Sequence, residues 1–266
     1  SSRHATPTTR AGPTCFGSLV RTDSEVLPRV PVFVPLHDTN PLKSIDYQYV
    51  TVSLIVLNIA IYLIFQTGWF IPLDEENLSA FAAIPAELMG QGLGDETIMS
   101  PFMVPERFTL VTYMFLHGSW IHLLGNMLFL WVFGDNVEDA MGHLRFIMFY
   151  LMCGIFAAVV HSWVMPKSEL PLIGASGAVA GIISAYLILH PKVKVWVLAL
   201  WRIPIKITAY WALGFWILAQ FANLLFDTEE SVAWGAHLGG LDAGAVLILF
   251  MGRRGVPLLD KTRGGA

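Results

Sequence analysis

The residues able to do chemistry lie in three short stretches. Ser176 stands in I-G-A-S-G-A-V-A-G-I-I-S, between Gly174 and Gly177, at the mouth of an apolar helical run. A serine hydroxyl is a weak nucleophile until an adjacent base takes its proton, and neutral histidine is the usual base. His237, in A-H-L-G-G-L-D-A-G, is the candidate for that role. His122 and Asn126, in H-L-L-G-N, are four residues apart, so on a helix they share one face a turn apart. Two donors so placed could be aimed at a developing oxyanion, and the three sets together favour acyl transfer.

Each fragment also has a packing explanation. Gly-Ala-Ser-Gly suits the close approach of membrane helices, where small residues let backbones touch. A lone helix-borne histidine is usually a satisfied packing residue. Ala178 excludes the soluble hydrolase elbow, which needs glycine two residues after the serine. Chemistry is favoured by coincidence, because polar groups inside a membrane are costly and three such sets fall on three apolar segments at one membrane level. His237, Gly240 and Gly244 form one helical stripe, and Gly177 and Gly181 supply a matching small surface with Ala180 beside them. That geometry predicts close contact of the two helices, with His237 near Ser176.

The elements that must position these residues are membrane spans. The chain of 266 residues is 55% apolar and only 14% charged, against about 25% charged in an ordinary soluble domain. Its mean hydropathy is +0.60. Spans are expected over about residues 49–65, 119–136, 144–165, 176–190, 205–226 and 232–251, each long enough or nearly so for a hydrocarbon core of roughly 30 Å. Lys192, Lys194, Arg202 and Lys206 between the fourth and fifth, and Arg253, Arg254, Lys261 and Arg263 after the sixth, place both termini in the cytoplasm by the positive-inside rule. The long acidic loop from Trp69 to Gly118, with Arg107 its single base, then lies outside, and its uncharged, aromatic stretch Phe108–Leu116 is expected on or partly in the bilayer. Residues 1–30 read as a disordered cytoplasmic tail, 31–252 as one helical domain, and 253–266 as a short basic tail.

Several classes are excluded. A net charge of −4, without a basic patch, argues against nucleic acid. Cys15 and Cys153 form neither a metal pattern nor a disulfide framework. No HExxH motif and no paired membrane aspartates supply the residues for metal-dependent or aspartyl proteolysis.

Together, H-G-S-W-I-H-L-L-G-N-M-L-F-L-W-V-F-G-D-N-V-E-D, G-A-S-G and A-H-L-G-G-L-D-A-G resemble the rhomboid family of intramembrane serine proteases, over about Val32 to Met251. The resemblance implies an all-α membrane protein: a bundle of six transmembrane helices with a long, partly membrane-embedded first loop. It implies Ser176 as nucleophile, His237 as general base, and an oxyanion hole of His122, Asn126 and the Ser176 amide, with no cofactor. Arg107, Glu138 and the glycines 174, 177, 181, 240 and 244 match positions of structural support. Substrates would be other membrane proteins in the bilayer, cut in or near their spans after entering beside the fifth span, where Trp211, Phe215 and Trp216 cluster and residues 227–231 form a lid. The alternative is a rhomboid-like protein that escorts membrane helices without cutting them. The compact form looks bacterial, hence a plasma membrane; oligomeric state is left open. Two departures stand out: Glu106 precedes Arg107 where the family often has tryptophan, and Ala180 replaces the aromatic that commonly packs on the base. Asp242, about 140° around an ideal helix from His237, is expected to meet a polar neighbour rather than complete a triad.

Overall fold

The computed structural model describes residues 33–71, 75–90, 104–199, 202–226 and 233–260. The proposed N-terminal tail and the 227–231 lid lie outside the described residues. Strand β1 (Phe33–Asp38) leads to helix α1 (Tyr49–Ile61), which closes with one π turn over Tyr62–Gln66. The first loop contains the short helices α2 (Glu75–Ser79), α3 (Pro85–Leu88) and α4 (Glu106–Thr112) and a 3₁₀ turn, Tyr113–Phe115. The chain then bends by 85° into α5 (Trp120–Met141). Helices α6 (His143–Val164) and α7 (Ser176–Leu189), strands β2 (Lys194–Ala199) and β3 (Ile203–Thr208), and helices α8 (Ala209–Phe226) and α9 (Trp234–Met251) complete it.

By length and composition Tyr49–Gln66, His143–Val164 and Trp234–Met251 can each cross a membrane, the bent pair ending in α5 makes a fourth, and α7 and α8 are shorter apolar helices. The protein is therefore a multi-pass membrane protein, and the expected spans correspond to α1 and α5 to α9. The shortness of α7 has a consequence. Its 14 residues rise about 21 Å, less than a hydrocarbon core of roughly 30 Å. A helix of this length would not reach from one face of such a core to the other.

The helices are apolar all round, and they sort their faces by size and shape rather than polarity. Phe133, Phe146, Phe149, Tyr150 and Tyr186 are fully buried between helices, while Leu144, Met148, Met152, Phe156 and Trp163 of α6 point outward. Outward apolar side chains suit a lipid solvent.

A three-stranded antiparallel sheet, ordered β1-β2-β3, covers one end of the bundle. The fifth span begins four residues later than expected because Ile203–Thr208 pairs with β2, Val195 opposite Ile207 and Trp196 opposite Lys206. The segments K-V-W-V-L-A and I-P-I-K-I-T are rich in β-branched residues, which suits the pleated, half-buried surface of a strand. Val195 and Val197 are buried, and the Lys206 ammonium lies 5.7 Å over the Trp196 ring.

Polar contacts concentrate at this sheet end. The fully buried Glu138 carboxylate accepts from the Val50 and Thr51 amides (3.0 and 2.8 Å), from the Thr51 hydroxyl (2.7 Å) and from His143 Nδ1 (2.6 Å). It thus caps the first turn of α1, for which Gln48 supplies no side-chain cap. Asp139 accepts from the amides of Lys43, Ser44 and Ile45. Asp38, whose carboxyl is pushed above the ordinary range by burial, accepts from the Tyr186 hydroxyl. After α9 the chain turns back, with amides of Arg253, Leu259 and Asp260 donating to Ala140, Ile188 and Leu189. Removing the carboxylate from such a site strands buried donors. Glu138→Ala should therefore lower the stability of the detergent-solubilised protein by about 2–5 kcal/mol, measured by denaturant or thermal unfolding, and Glu138→Gln by less because it keeps an acceptor.

Candidate active site

Helix α9 packs most extensively on α7 and α6. A side chain at Gly240 would collide with the Gly177 carbonyl oxygen, and one at Gly244 with the Gly181 carbonyl. The glycines of α7 also serve α6: a Cβ on Gly177 would stand 2.5 Å from the Ala157 Cβ, and one on Gly181 would stand 2.5 Å from the Cys153 sulfur. The Ser184 hydroxyl adds an interhelical bond to the Leu241 carbonyl, at 2.8 Å. Ser176 adjoins Gly177, which lies against the carbonyl of Ala236. The close contact of α7 and α9 through these glycines is the one that the glycine spacing predicts, and Ser176 and His237 each adjoin a residue of that contact.

Ser176 opens α7 after Ala175, whose carbonyl accepts from Val179. The amides of the first turn, including that of Ser176, have no intrahelical partner, and the helix dipole adds partial positive charge there. The preceding loop is fixed by Gly174, with φ +117°, whose amide donates to the Tyr113 carbonyl at 2.9 Å. A Cβ on Gly174 would stand 2.6 Å from His122 Nε2 and 3.8 Å from Asn126 Nδ2. Both side chains thus face the loop that delivers Ser176. Asn126 is buried and donates to the His122 carbonyl at 3.1 Å, and the Ser119 hydroxyl caps α5 by accepting from the His122 amide. His122 and Asn126 thus stand against the loop that precedes Ser176, at the end of α7 away from the sheet.

The first loop props this end. The Tyr113 hydroxyl donates to the Gly154 carbonyl at 2.7 Å, the Ala83 and Leu172 backbones bond to each other, and Leu78, Ala82 and Leu116 form a small cluster with Phe81 and Ile173. Tyr113 and Met114 are buried within the protein. Gln66 bonds the His117 backbone in both directions, and the His117 ring lies edge-on to His122 at 5.1 Å.

His237 is held from α8. Its Nδ1 lies 2.8 Å from the Gln220 side-chain oxygen, and the Gln220 amide nitrogen donates to the Trp216 carbonyl at 3.1 Å. Trp216 and Trp234 flank the imidazole at ring distances of 6.2 and 5.7 Å. These groups stand around the His237 ring while position 180 is alanine, and none is singled out as a site residue by motif. The available signal was the amide itself, four residues after Trp216 in a largely apolar span whose other amide is Asn223. Trp216 also differs from its expected companions: Trp211 and Phe215 are exposed, whereas Trp216 turns inward onto Phe129.

Other expectations resolve as follows. Arg107 is exposed on α4, its guanidinium 5.4 Å over the Phe108 ring. Asp242 is exposed on the outer face of α9 and has no polar partner among the described residues, contrary to the contact expected of it. No metal-binding cluster occurs among the described residues.

A multi-pass helical bundle with a short apolar helix opened by serine and a histidine on a glycine-bearing neighbour defines a class of membrane protein. The rhomboid domain family model matches residues 105–254, and the chain belongs to the rhomboid family. It is 30% identical over 161 residues to Rhomboid-like protein 11, chloroplastic, of Arabidopsis thaliana, covering 56% of this chain and 54% of that protein. It is 28% identical over 213 residues to Rhomboid protease AarA of Providencia stuartii, covering 74% and 70%. It is also 28% identical over 142 residues to Putative rhomboid protease YdcA of Bacillus subtilis, covering 53% and 66%. The chain spans about half the length of the first curated relatives it matches.

The α7–α9 contact makes a local prediction. Gly240→Ala should destabilise the protein by about 1–3 kcal/mol or more through overpacking. Gly214→Ala, in α8 with open space around it, should be neutral or stabilising by up to about 1 kcal/mol. Thermal unfolding in one detergent compares the two.

Proposed function

We propose that this protein is an intramembrane serine endopeptidase that cleaves transmembrane proteins through a Ser176–His237 dyad and an acyl-enzyme. The observation that carries the reading is that Ser176 on α7, His237 on α9, and His122 and Asn126 on α5 lie on three helices brought together through glycine contacts. In this reading His237 takes the Ser176 proton as the hydroxyl attacks the scissile carbonyl, and later gives it to the leaving amine. His122, Asn126 and the Ser176 amide stabilise the tetrahedral oxyanion. Water then hydrolyses the acyl-enzyme, so a bound cofactor has no part. Two relatives are named as proteases or putative proteases, which agrees with the assignment.

Substrate helices would arrive from the lipid between α5 and α8. Support comes from the exposed Trp211, Phe215 and Leu218 along α8, which faces α5 through the Trp216–Phe129 ring contact. The basic residues Lys192, Lys194, Arg202, Lys206, Arg253 and Arg254 gather at the sheet end, which favours that end as cytoplasmic and the site end as the outer one.

Purified protein should be labelled by a fluorophosphonate probe and should cleave a test transmembrane substrate. Ser176→Ala should lose both, by on the order of 10³-fold or more in rate, and Asn126→Ala should lose on the order of 10²-fold in turnover. Failure of the intact protein to label or cleave would replace this reading with that of a rhomboid-like protein that binds membrane helices without cutting them. Turnover should climb as His237 loses its proton, because only the neutral imidazole can accept the serine proton; a rate falling steadily from about pH 5 to 8 contradicts the general-base role. Crosslinking α5 to α8 should abolish cleavage of the membrane substrate while leaving probe labelling measurable, and unchanged cleavage would argue against lateral access.

A further inference from the structure

We propose that Gln220 is the positioning residue of the base: it holds His237 as the Nδ1–H tautomer, so that Nε2 carries the lone pair that receives the Ser176 proton. The proposal rests on the serine-protease reading and names a residue outside its dyad and oxyanion hole. The hydrogen-bond pattern decides the tautomer. A backbone carbonyl only accepts, so the Gln220 nitrogen must be the group that meets the Trp216 carbonyl at 3.1 Å. The Gln220 oxygen is therefore the group 2.8 Å from His237 Nδ1. An amide oxygen only accepts, so Nδ1 must carry the proton. In the neutral imidazole Nε2 is then the free acceptor.

Gln220 is itself 5% exposed, so water does not compete freely for either of its bonds. The other titratable groups near His237 are His122 from α5 and His161 from α6. Neither supplies a carboxylate, and among the described residues the ring's hydrogen bond is to Gln220 alone. Trp216 and Trp234 limit tilt of the ring from its two sides, but only the amide distinguishes one ring nitrogen from the other. The proton balance is complete within these groups. The Oγ–H bond breaks, the proton joins Nε2, and Nδ1–H stays bonded to the Gln220 oxygen throughout, so the imidazolium keeps an acceptor. On collapse of the tetrahedral intermediate Nε2 returns the proton to the leaving nitrogen.

Gln220→Leu removes the acceptor at similar size, and Gln220→Glu keeps an oxygen where Nδ1 needs one. Gln220→Leu should lower kcat on a test transmembrane substrate, and the fluorophosphonate labelling rate, by roughly 10–100-fold, as loss of a histidine's outer partner does elsewhere. KM should stay within about twofold if only orientation of the base is lost, and Gln220→Glu should recover most of the lost rate. A second readout does not depend on activity. Nitrogen-15 NMR of histidine-labelled protein, with the His237 signal assigned by its loss in His237→Ala, should show the Nδ1–H tautomer in the wild type and a mixture in Gln220→Leu. An unchanged tautomer in Gln220→Leu, or equal losses in both variants accompanied by equal destabilisation, would overturn the proposal. If the wild type neither labels nor cleaves but the tautomer still depends on Gln220, the protease reading fails and the positioning role stands.

Discussion

The architecture depends on two backbones touching. At Gly177 against Gly240, and at Gly181 against Gly244, a carbonyl oxygen of α7 occupies the space a side chain of α9 would need. In lipid there is little hydrophobic drive for helices to associate, because the surroundings are as apolar as the side chains. Association must come from dense van der Waals contact and from bonds such as Ser184 to the Leu241 carbonyl. Small residues provide the first by letting the helix axes approach. The same approach sets the turn that bears His237 beside the turn that bears Ser176, so packing and proposed chemistry are one feature. Gly177 and Gly181 extend the seam to Ala157 and Cys153 of α6, which makes α6, α7 and α9 a rigid core to which the other helices attach.

Fixation is uneven along the membrane normal. At the sheet end the carboxylates of Glu138, Asp139 and Asp38 bind backbone amides and hydroxyls of α1, the chain before it, and α7. The segment after α9 closes over the ends of α5 and α7 there. At the opposite end several buried nitrogens, among them those of His117, His161 and Trp234, have no partner among the described residues. Buried polar groups of this kind usually meet water. That distribution suits a proposed hydrolase, which must admit water near Ser176 while keeping the far end sealed.

The spans were legible because membrane-length apolar runs and turn residues dominate this chain, and α5, α6 and α9 start and stop within a few residues of where composition puts them. The glycine stripes were legible because helical spacing turns sequence offsets into faces. The sheet was harder to see. Its strands are short, β2 is sandwiched between β1, more than 150 residues earlier, and β3, and only that pairing distinguishes Ile203–Thr208 from the start of a helix. The pairing of Gln220 with His237 was hard to see for a related reason. No spacing rule relates it to His237 seventeen residues away on another helix; their meeting is decided by the rotation of α8, which Trp216 sets by turning onto Phe129. Asp242 failed in the opposite direction, since an acid within a span reads as a buried contact, and the rotation of α9 puts it outside.

The use of an amide rather than a carboxylate behind the proposed base follows from the medium. A carboxylate beside His237 would stabilise the imidazolium more strongly, but an ionised group carried into an apolar interior brings a desolvation penalty of several kcal/mol. A primary amide orients the ring with no net charge, and its own donor is satisfied one turn back on the same helix. The arrangement has a mechanical corollary. Gln220 belongs to α8, which joins the sheet end directly through β3 and presents an exposed aromatic face. Ser176 and His237 lie on helices joined by the glycine seam, whereas the partner of Nδ1 lies on α8, outside that seam. Under the proposed function, a displacement of α8 would act on the tautomer of the proposed base before it acted on the α7–α9 contact.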